Sequence, residues 1–325
     1  MKSEILSALR ETGEYVSGQY LCDKLGVSRT AVWKGIQKLR QEGYVIEAVS
    51  NKGYRLIETM DVLNEDELKS RRRTCWIGEE IHYYEVTDST NLRAKQLAEE
   101  GKPHGTLVVA DRQDAGRGRR GKSWTSPPGI SVYMSLILKP QIKPQSASML
   151  TLIAGLAVAR ALKDYAGVSP QIKWPNDIVL GGKKVCGILA ELSTEIEEIH
   201  YVVVGIGINV RNTEFPEEIS SIATSLLLEG KDKIKRAELI GAVCESFEHY
   251  YGIFSETNDL SGLKEEYDKY LVNKGRQVRV SDPMEYFEGE AVGITDLGEL
   301  IVDTEKGRRL VFAGEVSVRG IYGYV

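Results

Sequence analysis

The chain has 325 residues, of which 42% are hydrophobic and 27% charged, with a net charge of -5. That length supports two or three domains with a sizeable core, and the acidic balance confines any nucleic-acid contact to a local basic patch. No apolar run reaches the ~20 residues of a membrane span, the N-terminus lacks a signal-peptide core, and the four cysteines and four histidines show no zinc spacing, so a cytoplasmic protein with reduced thiols and no membrane contact is expected.

Ile5, Leu6 and Leu9 recur at helical spacing and predict a first helix ending near Gly13. Ser17 suits the N-cap of a short second helix, Gly18–Leu25. Ser28 caps a third helix from Arg29 to about Glu42, closed by Gly43. Its inner stripe is Val32, Ile36 and Leu39, which turns Arg29, Thr30, Trp33, Lys34, Gln37 and Lys38 outward. Residues 44–49 and 54–56 flank an Asn51-Lys52-Gly53 turn and read as a hairpin. Three helices and a hairpin make a winged helix-turn-helix over residues 1–64. Its third helix, starting at Ser28, would enter the major groove, and Lys52 at the wing tip would reach a phosphate. Between Ser28 and Arg55, six basic residues stand against two acidic ones, a local positive surplus. A winged helix used only for protein contacts is the alternative. Such modules bind paired half-sites as dimers, so the remainder should dimerise. The charged segment 61–73 reads as a solvated linker with some helical character.

Residues 81–86 are strand-like and lead into Thr87-Asp88-Ser89-Thr90-Asn91, ahead of a helix carrying Leu92, Ala94, Leu97 and Ala98. Such clusters cap helices, and their surplus hydroxyl and amide groups can also line a pocket for a polar heterocycle. A strand at 106–110 then runs into Gly116-Arg117-Gly118-Arg119-Arg120-Gly121-Lys122-Ser123-Trp124. Glycine allows close backbone approach, arginine forks suit phosphate or carboxylate oxygens, and Trp124 offers a flat apolar wall. The stretch satisfies both G-x-G-x-x-G and the P-loop pattern. Both need a following helix, which Pro127-Pro128-Gly129 breaks. A phosphate-gripping loop of another kind is expected, mobile through charge repulsion until an anion draws it in. A solvated basic loop is the plainer alternative.

Residues 131–138 form a strand and 149–165 a long apolar core helix. Lys173-Trp174-Pro175-Asn176-Asp177 ends a strand in a turn, where Asp177, beside Asn176, is placed to offer oxygen to Mg²⁺. Plain turn chemistry is the alternative. A hairpin around Gly181-Gly182 carries Lys184 on its return strand, a carboxylate or phosphate anchor if it faces inward. The strand from Tyr201 continues as Gly205-Ile206-Gly207-Ile208-Asn209, and strand glycines signal close approach by a ligand or backbone. There Asn209 would read a base edge. After residue 270, five short β-like runs (277–280, 288–294, 300–302, 309–312 and 316–319) predict a small β-barrel over 271–325, leaving 65–270 as the central domain.

Thr87–Asn91, Gly116–Gly121, Lys173–Asp177, Lys184 and Gly205–Asn209 follow the order and spacing of biotin protein ligases. With the winged helix in front, the chain resembles the bifunctional biotin protein ligase and biotin operon repressor family over essentially its whole length. The resemblance implies an α+β fold: an N-terminal winged helix-turn-helix, a central mixed α/β ligase domain and a C-terminal SH3-like β-barrel. It implies biotin, ATP and Mg²⁺ giving biotinyl-5′-AMP, transfer to a lysine of biotin carboxyl carrier protein, and an adenylate-bound homodimer on operator DNA with biotinyl-5′-AMP as corepressor.

By the same resemblance Ser89, Thr90, Asn91 and Gln113 would hold the ureido ring of biotin, with Gly116, Arg117, Gly118, Arg119 and Lys184 around the acid. Arg117, Arg119 and Arg120 would neutralise its carboxylate and the α-phosphate. Lys184 would bridge the two groups. Lys173, Asn176 and Asn209 would face the nucleotide, Asp177 would hold Mg²⁺, and Trp124 would cover the ligand. Some relatives carry a tryptophan over the adenine at a position within 223–226, and this chain has none there. Lipoate ligases share the domain type. A regulator that binds an effector without catalysis, and a P-loop NTPase with a DNA module, are the competing classes.

Overall fold

The computed structural model describes residues 1–59, 61–195, 198–281, 286–313, 317–320 and 324–325. The chain divides into two compact units: Met1–Arg73 with Lys235–Gly241, and Thr74–Ile234 with Ala242–Val325.

The first unit holds α1 (Lys2–Thr12), α2 (Gly18–Leu25), α3 (Arg29–Gln41), β1 (Tyr44–Val49) and β2 (Gly53–Thr59). The side chains of Ser17 and Ser28 accept from the Tyr20 and Ala31 backbone N–H groups and start α2 and α3. Ile5, Leu6, Leu9, Leu21, Ile36 and Leu39 close the core with Tyr44 and Ile46 of the antiparallel wing. This is the winged helix-turn-helix expected from the periodicity.

The segment read as a solvated linker behaves differently. Residues Glu65–Arg71 form α4, capped by Asn64, and Glu67 is only 2% exposed. Its carboxylate accepts from Arg10 Nη2 (2.8 and 2.6 Å), Arg71 Nε (2.5 Å) and the Tyr44 hydroxyl (2.7 Å). Burial pushes the carboxyl pKa up, but the two guanidinium groups outweigh it and hold the group below the usual carboxylate range. Asp61 is used similarly, accepting from the backbone N–H and Nε of Arg236, each at 2.7 Å. A charged sequence looked solvated because its partners lie far away along the chain.

The second unit contains β3 (Ile81–Thr87), α5 (Thr90–Glu99), β4 (Leu107–Gln113), β5 (Ser131–Leu138), α6 (Met149–Ala166), β6 (Gln171–Lys173), β7 (Asp177–Leu180), β8 (Lys183–Thr194) and β9 (Ile199–Asn209). Then follow α7 (Glu217–Ser220), α8 (Arg236–Thr257), whose first turns belong to the first unit, and α9 (Lys264–Tyr270). Among the described residues the large sheet runs β3-β4-β5-β9-β8-β7-β6, parallel only between β3 and β4. Helix α5 packs Ala94, Leu97 and Ala98 against Val108, Ile137 and Val203, while α6 lies against β6 to β9. The stretch Pro144–Ala166 is long and apolar enough for a bilayer by composition, yet 78% of its most apolar window is buried in the fold, as a core helix requires.

A second sheet, β13-β12-β11-β10-β14, is antiparallel throughout and comprises β10 (Arg276–Ser281), β11 (Tyr286–Ile294), β12 (Leu300–Thr304), β13 (Gly307–Val311) and β14 (Ser317–Gly320). Val316, where the last expected run begins, lies outside the described residues. The buried Trp174 ties this domain to the large sheet. Its indole N–H donates to Gly298 O (3.0 Å) and its backbone N–H to Asn273 Oδ1 (2.9 Å). The turn 173–177 is thereby seated beside the C-terminal domain.

Replacing Glu67 by Ala leaves Arg10, Arg71 and Tyr44 without their shared acceptor, and should destabilise the first unit by about 3–5 kcal/mol. Because the native carboxyl pKa is depressed, its stabilisation is complete above the ordinary carboxylate range and fades as pH falls through the native value. Thermal melts of both full-length proteins should differ at neutral pH and converge in acid. Identical melting at neutral pH would contradict this account.

Candidate active site and DNA-reading helix

A cleft of about 460 Å³ opens over the large sheet. Ser89, Thr90, Asn91, Gln113, Arg117, Gly118, Arg119, Trp124, Asn176 and Lys184 all line it. It also takes in Tyr133, Met134, Ile188, Leu189 and Ile206, which the sequence reading did not single out. They lie on β5, β8 and β9, where an apolar residue reads equally well as core.

The polar end is a connected network. Gln113 Oε1 accepts from the Thr90 backbone N–H (2.9 Å) and hydroxyl (3.1 Å), and its Nε2 donates to Ser126 Oγ (2.8 Å). The Ser135 hydroxyl donates to Asn91 Oδ1 (2.7 Å), and Asn91 Nδ2 donates to Glu191 Oε2 (2.8 Å). Burial pushes the Glu191 carboxyl up, but Lys95, Asn91 and Arg117 together hold it below the usual range. Ser89 occupies the N-cap of α5 yet makes no side-chain capping bond, so capping does not consume its hydroxyl.

Three strand glycines make the floor. A Cβ on Gly205 would lie 2.0 Å from Asn91 Oδ1. On Gly187 and Gly207 it would lie 2.9 and 2.8 Å from the Trp124 indole. The strand glycines do admit a close approach, but by the side chains of Asn91 and Trp124 rather than by the ligand or backbone expected. The arms of the Gly/Arg loop also bond to each other, with Gly118 N–H to Lys122 O (2.7 Å) and Trp124 N–H to Gly116 O (2.8 Å). They form a narrow hairpin with a single 3₁₀ turn at Arg119–Gly121 and no following helix, which removes the P-loop reading. Gly116 is buried at its base, where a Cβ would meet Trp124 O at 2.3 Å. Arg120 is exposed outside the cleft.

The opposite end of the cleft is cationic. Between Ile178 and Val179 the β7–β8 register shifts, pairing Asp177 with Gly187 but Val179 with Lys184. Without this bulge, residues three apart would face opposite sides of the sheet. With it, Lys184 Nζ reaches Asp177 Oδ1 at 2.5 Å. Arg119 Nη1 donates to Asn176 Oδ1 (2.9 Å) and Nη2 to Ala313 O (3.4 Å). Lys173 is buried over the Tyr324 ring, 3.3 Å from its centroid. Burial, with Lys184, Arg319 and Lys122 nearby, pushes its ammonium down to about 8, while Asp177 opposes the shift. The Asn209 amide donates to Thr224 O (3.0 Å). Ala223 forms a parallel β-bridge with Lys184, and the stretch 223–226 holds no tryptophan. Among the described residues no three His, Cys, Asp or Glu side chains converge as a resident metal centre needs.

In the first unit, Ser28, Arg29, Thr30, Trp33, Lys34 and Lys38 are exposed, as is Lys52 at the wing tip, while Gln37 is half-buried. Two of the counted cations brace the module instead. Arg40 donates to Ile46 O (3.0 and 2.6 Å), and Arg55 pairs with Glu47 (3.1 Å) across the wing.

A nucleotide-activating ligase joined to a winged helix is the class that this geometry defines. An HTH domain matches residues 2–55, the Biotin/lipoate A/B protein ligase family residues 83–209, and the Biotin protein ligase C terminal domain residues 275–319. The chain is 40% identical over 321 residues to the bifunctional ligase/repressor BirA of Bacillus subtilis (strain 168), covering 98% of each. It is 31% identical to the protein of that name from Escherichia coli (strain K12), covering 97% of this chain and 96% of that one. A structure of biotin protein ligase from Aquifex aeolicus in complex with biotin and ATP matches with a TM-score of 0.65 at 32% identity, over 74% of this chain and 99% of that one. The chain belongs to the bifunctional biotin ligase/repressor family.

Gly205→Ala should displace the Asn91 amide and disrupt the polar network, an overpacking cost of about 1–3 kcal/mol. A lowered melting temperature together with weakened binding of biotin in calorimetry is the expected result. Wild-type values for both would show that the floor tolerates a methyl group.

Proposed function

We propose that this chain is a cytoplasmic, ATP-dependent biotin protein ligase and a biotin-responsive repressor of biotin synthesis genes. The observation that carries the reading is one cleft with the hydroxyl and amide groups of Ser89, Thr90, Asn91 and Gln113 at one end and Arg119 and Lys184 at the other. A ureido ring, an apolar chain and a carboxylate suit those two ends in that order.

A free carboxylate does not acylate an amine at neutral pH because its leaving group is too poor. ATP overcomes this by forming the mixed anhydride biotinyl-5′-AMP with loss of pyrophosphate. Ser89, Thr90, Asn91 and Gln113 hold the ureido ring. Arg117 and Arg119 offset the repulsion between carboxylate and α-phosphate, and Lys184 bridges the two, while Arg120, outside the cleft, is left out of this step. Lys173, Asn176 and Asn209 face the nucleotide. Mg²⁺ arrives on the ATP phosphates as part of the substrate, with Asp177 the nearby carboxylate to meet it. Trp124, on the Gly/Arg hairpin with Gly116 and Gly118, keeps water from the anhydride. The lysine of biotin carboxyl carrier protein then attacks the acyl carbon and AMP leaves.

Incubation with ATP, Mg²⁺ and either biotin or lipoate, followed by mass spectrometry, tests this directly. Biotinyl-5′-AMP and pyrophosphate are expected. A lipoyl adenylate would change the acid, and phosphate release without either acid would point to an NTPase. Lys184→Ala should slow adenylate formation by about 100-fold, the usual scale for losing one aimed donor, with its melting temperature unchanged. Turnover like wild type would remove Lys184 from the reaction.

The repressor half couples to the same loop. Biotinyl-5′-AMP engages both the ureido pocket and the arginines, so it orders the hairpin more fully than either substrate alone. That ordering lowers the entropy cost of dimerisation, and a winged-helix homodimer spans two operator half-sites through Ser28, Arg29, Thr30, Trp33, Lys34, Gln37, Lys38 and Lys52. In gel shifts, biotin with ATP should give tight operator binding. Biotin with an ATP analogue blocked at the α–β bridge should not, and equal binding in the two mixtures would exclude the adenylate as corepressor.

A further inference from the structure

The cluster around Asp177 includes a residue from the far end of the chain. Tyr324 lies 147 residues beyond Asp177, and its hydroxyl donates to Asp177 Oδ2. The other carboxylate oxygen holds Lys184 Nζ at 2.5 Å. The face of the same tyrosine ring carries the Lys173 ammonium, 3.3 Å from the centroid. The following residue, Val325, packs beside the β7–β8 turn, its Cγ2 3.5 Å from where a Gly182 Cβ would stand.

We propose that Tyr324 is a positioning residue for adenylation, its hydroxyl fixing Asp177 against Lys184 and its ring seating Lys173. The proposal rests on the ligase reading above. The physical need is plain. Lys173, Lys184 and Arg119 surround one carboxylate, and like charges at this spacing repel strongly once water is excluded. A carboxylate free to rotate would pair with whichever cation came nearest. A phenol on one oxygen keeps the other turned toward Lys184, while the ring's negative face stabilises Lys173 without using a second carboxylate. The hydroxyl and the ring therefore have separable tasks.

Full-length wild type, Tyr324→Phe and Tyr324→Leu separate them. Biotin-dependent ATP–pyrophosphate exchange gives kcat and KM, calorimetry gives ATP affinity, and melting curves report folding. Tyr324→Phe keeps the ring and should lower kcat roughly tenfold, the scale of one hydrogen bond to a charged group, with KM for ATP unchanged. Tyr324→Leu should lower kcat similarly and also weaken ATP binding by roughly fivefold, the scale of a lost cation–π contact. KM for biotin should stay constant in both. Wild-type kcat and ATP affinity in both variants, or an effect confined to melting temperature, overturns the proposal. No exchange in the wild type refutes the ligase reading instead. The calorimetric comparison of wild type with Tyr324→Leu then still decides the role of the ring.

Discussion

Charge concentration around one carboxylate is the constraint that organises the catalytic unit. Arg119, Lys173 and Lys184 converge where the strands β6, β7 and β8 meet, and Asp177 stands among them. Such a cluster is unfavourable without counter-charge, which is what makes it suited to an anionic substrate. Asp177 supplies enough negative charge to fold the site and too little to neutralise it. The residual positive potential is held in place by the β-bulge, the Trp174 anchor and the C-terminal domain.

At the other end of the cleft the polar groups satisfy one another. Gln113, Thr90, Ser135, Asn91 and Glu191 form one chain of donors and acceptors whose orientation is already set. A buried network of this kind penalises a ligand that cannot complete it. It depends on the glycines of β8 and β9, because any side chain at Gly205 would occupy the space of Asn91. The sheet is thus both core and floor of the site.

The first unit shows how an acidic protein presents a basic surface. Its buried ion cluster at Glu67 consumes Arg10 and Arg71, and Arg40 and Arg55 brace the wing. Of the cations between Ser28 and Arg55, those that remain exposed lie on α3 and at the wing tip. The charge count in this stretch therefore overstates the contacts open to DNA, while the direction in which they point is clear.

Much of this was legible in the residues themselves. The caps at Ser17 and Ser28, the inner stripe of α3, the strand glycines and the helix-breaking prolines after the Gly/Arg loop act over a few residues, so local sequence determined them. The order of the motifs along the chain pointed to the family. What tertiary structure alone decided was the pairing of distant groups. Arg119 meets Asn176 57 residues away, Glu67 meets Arg10 and Tyr44, and Tyr324 closes on Asp177 from the end of the chain. Lys184 faces the cleft because a one-residue register shift turns it there. Sheet register and domain docking sum many weak contacts over long sequence separations, and no short stretch carries their outcome.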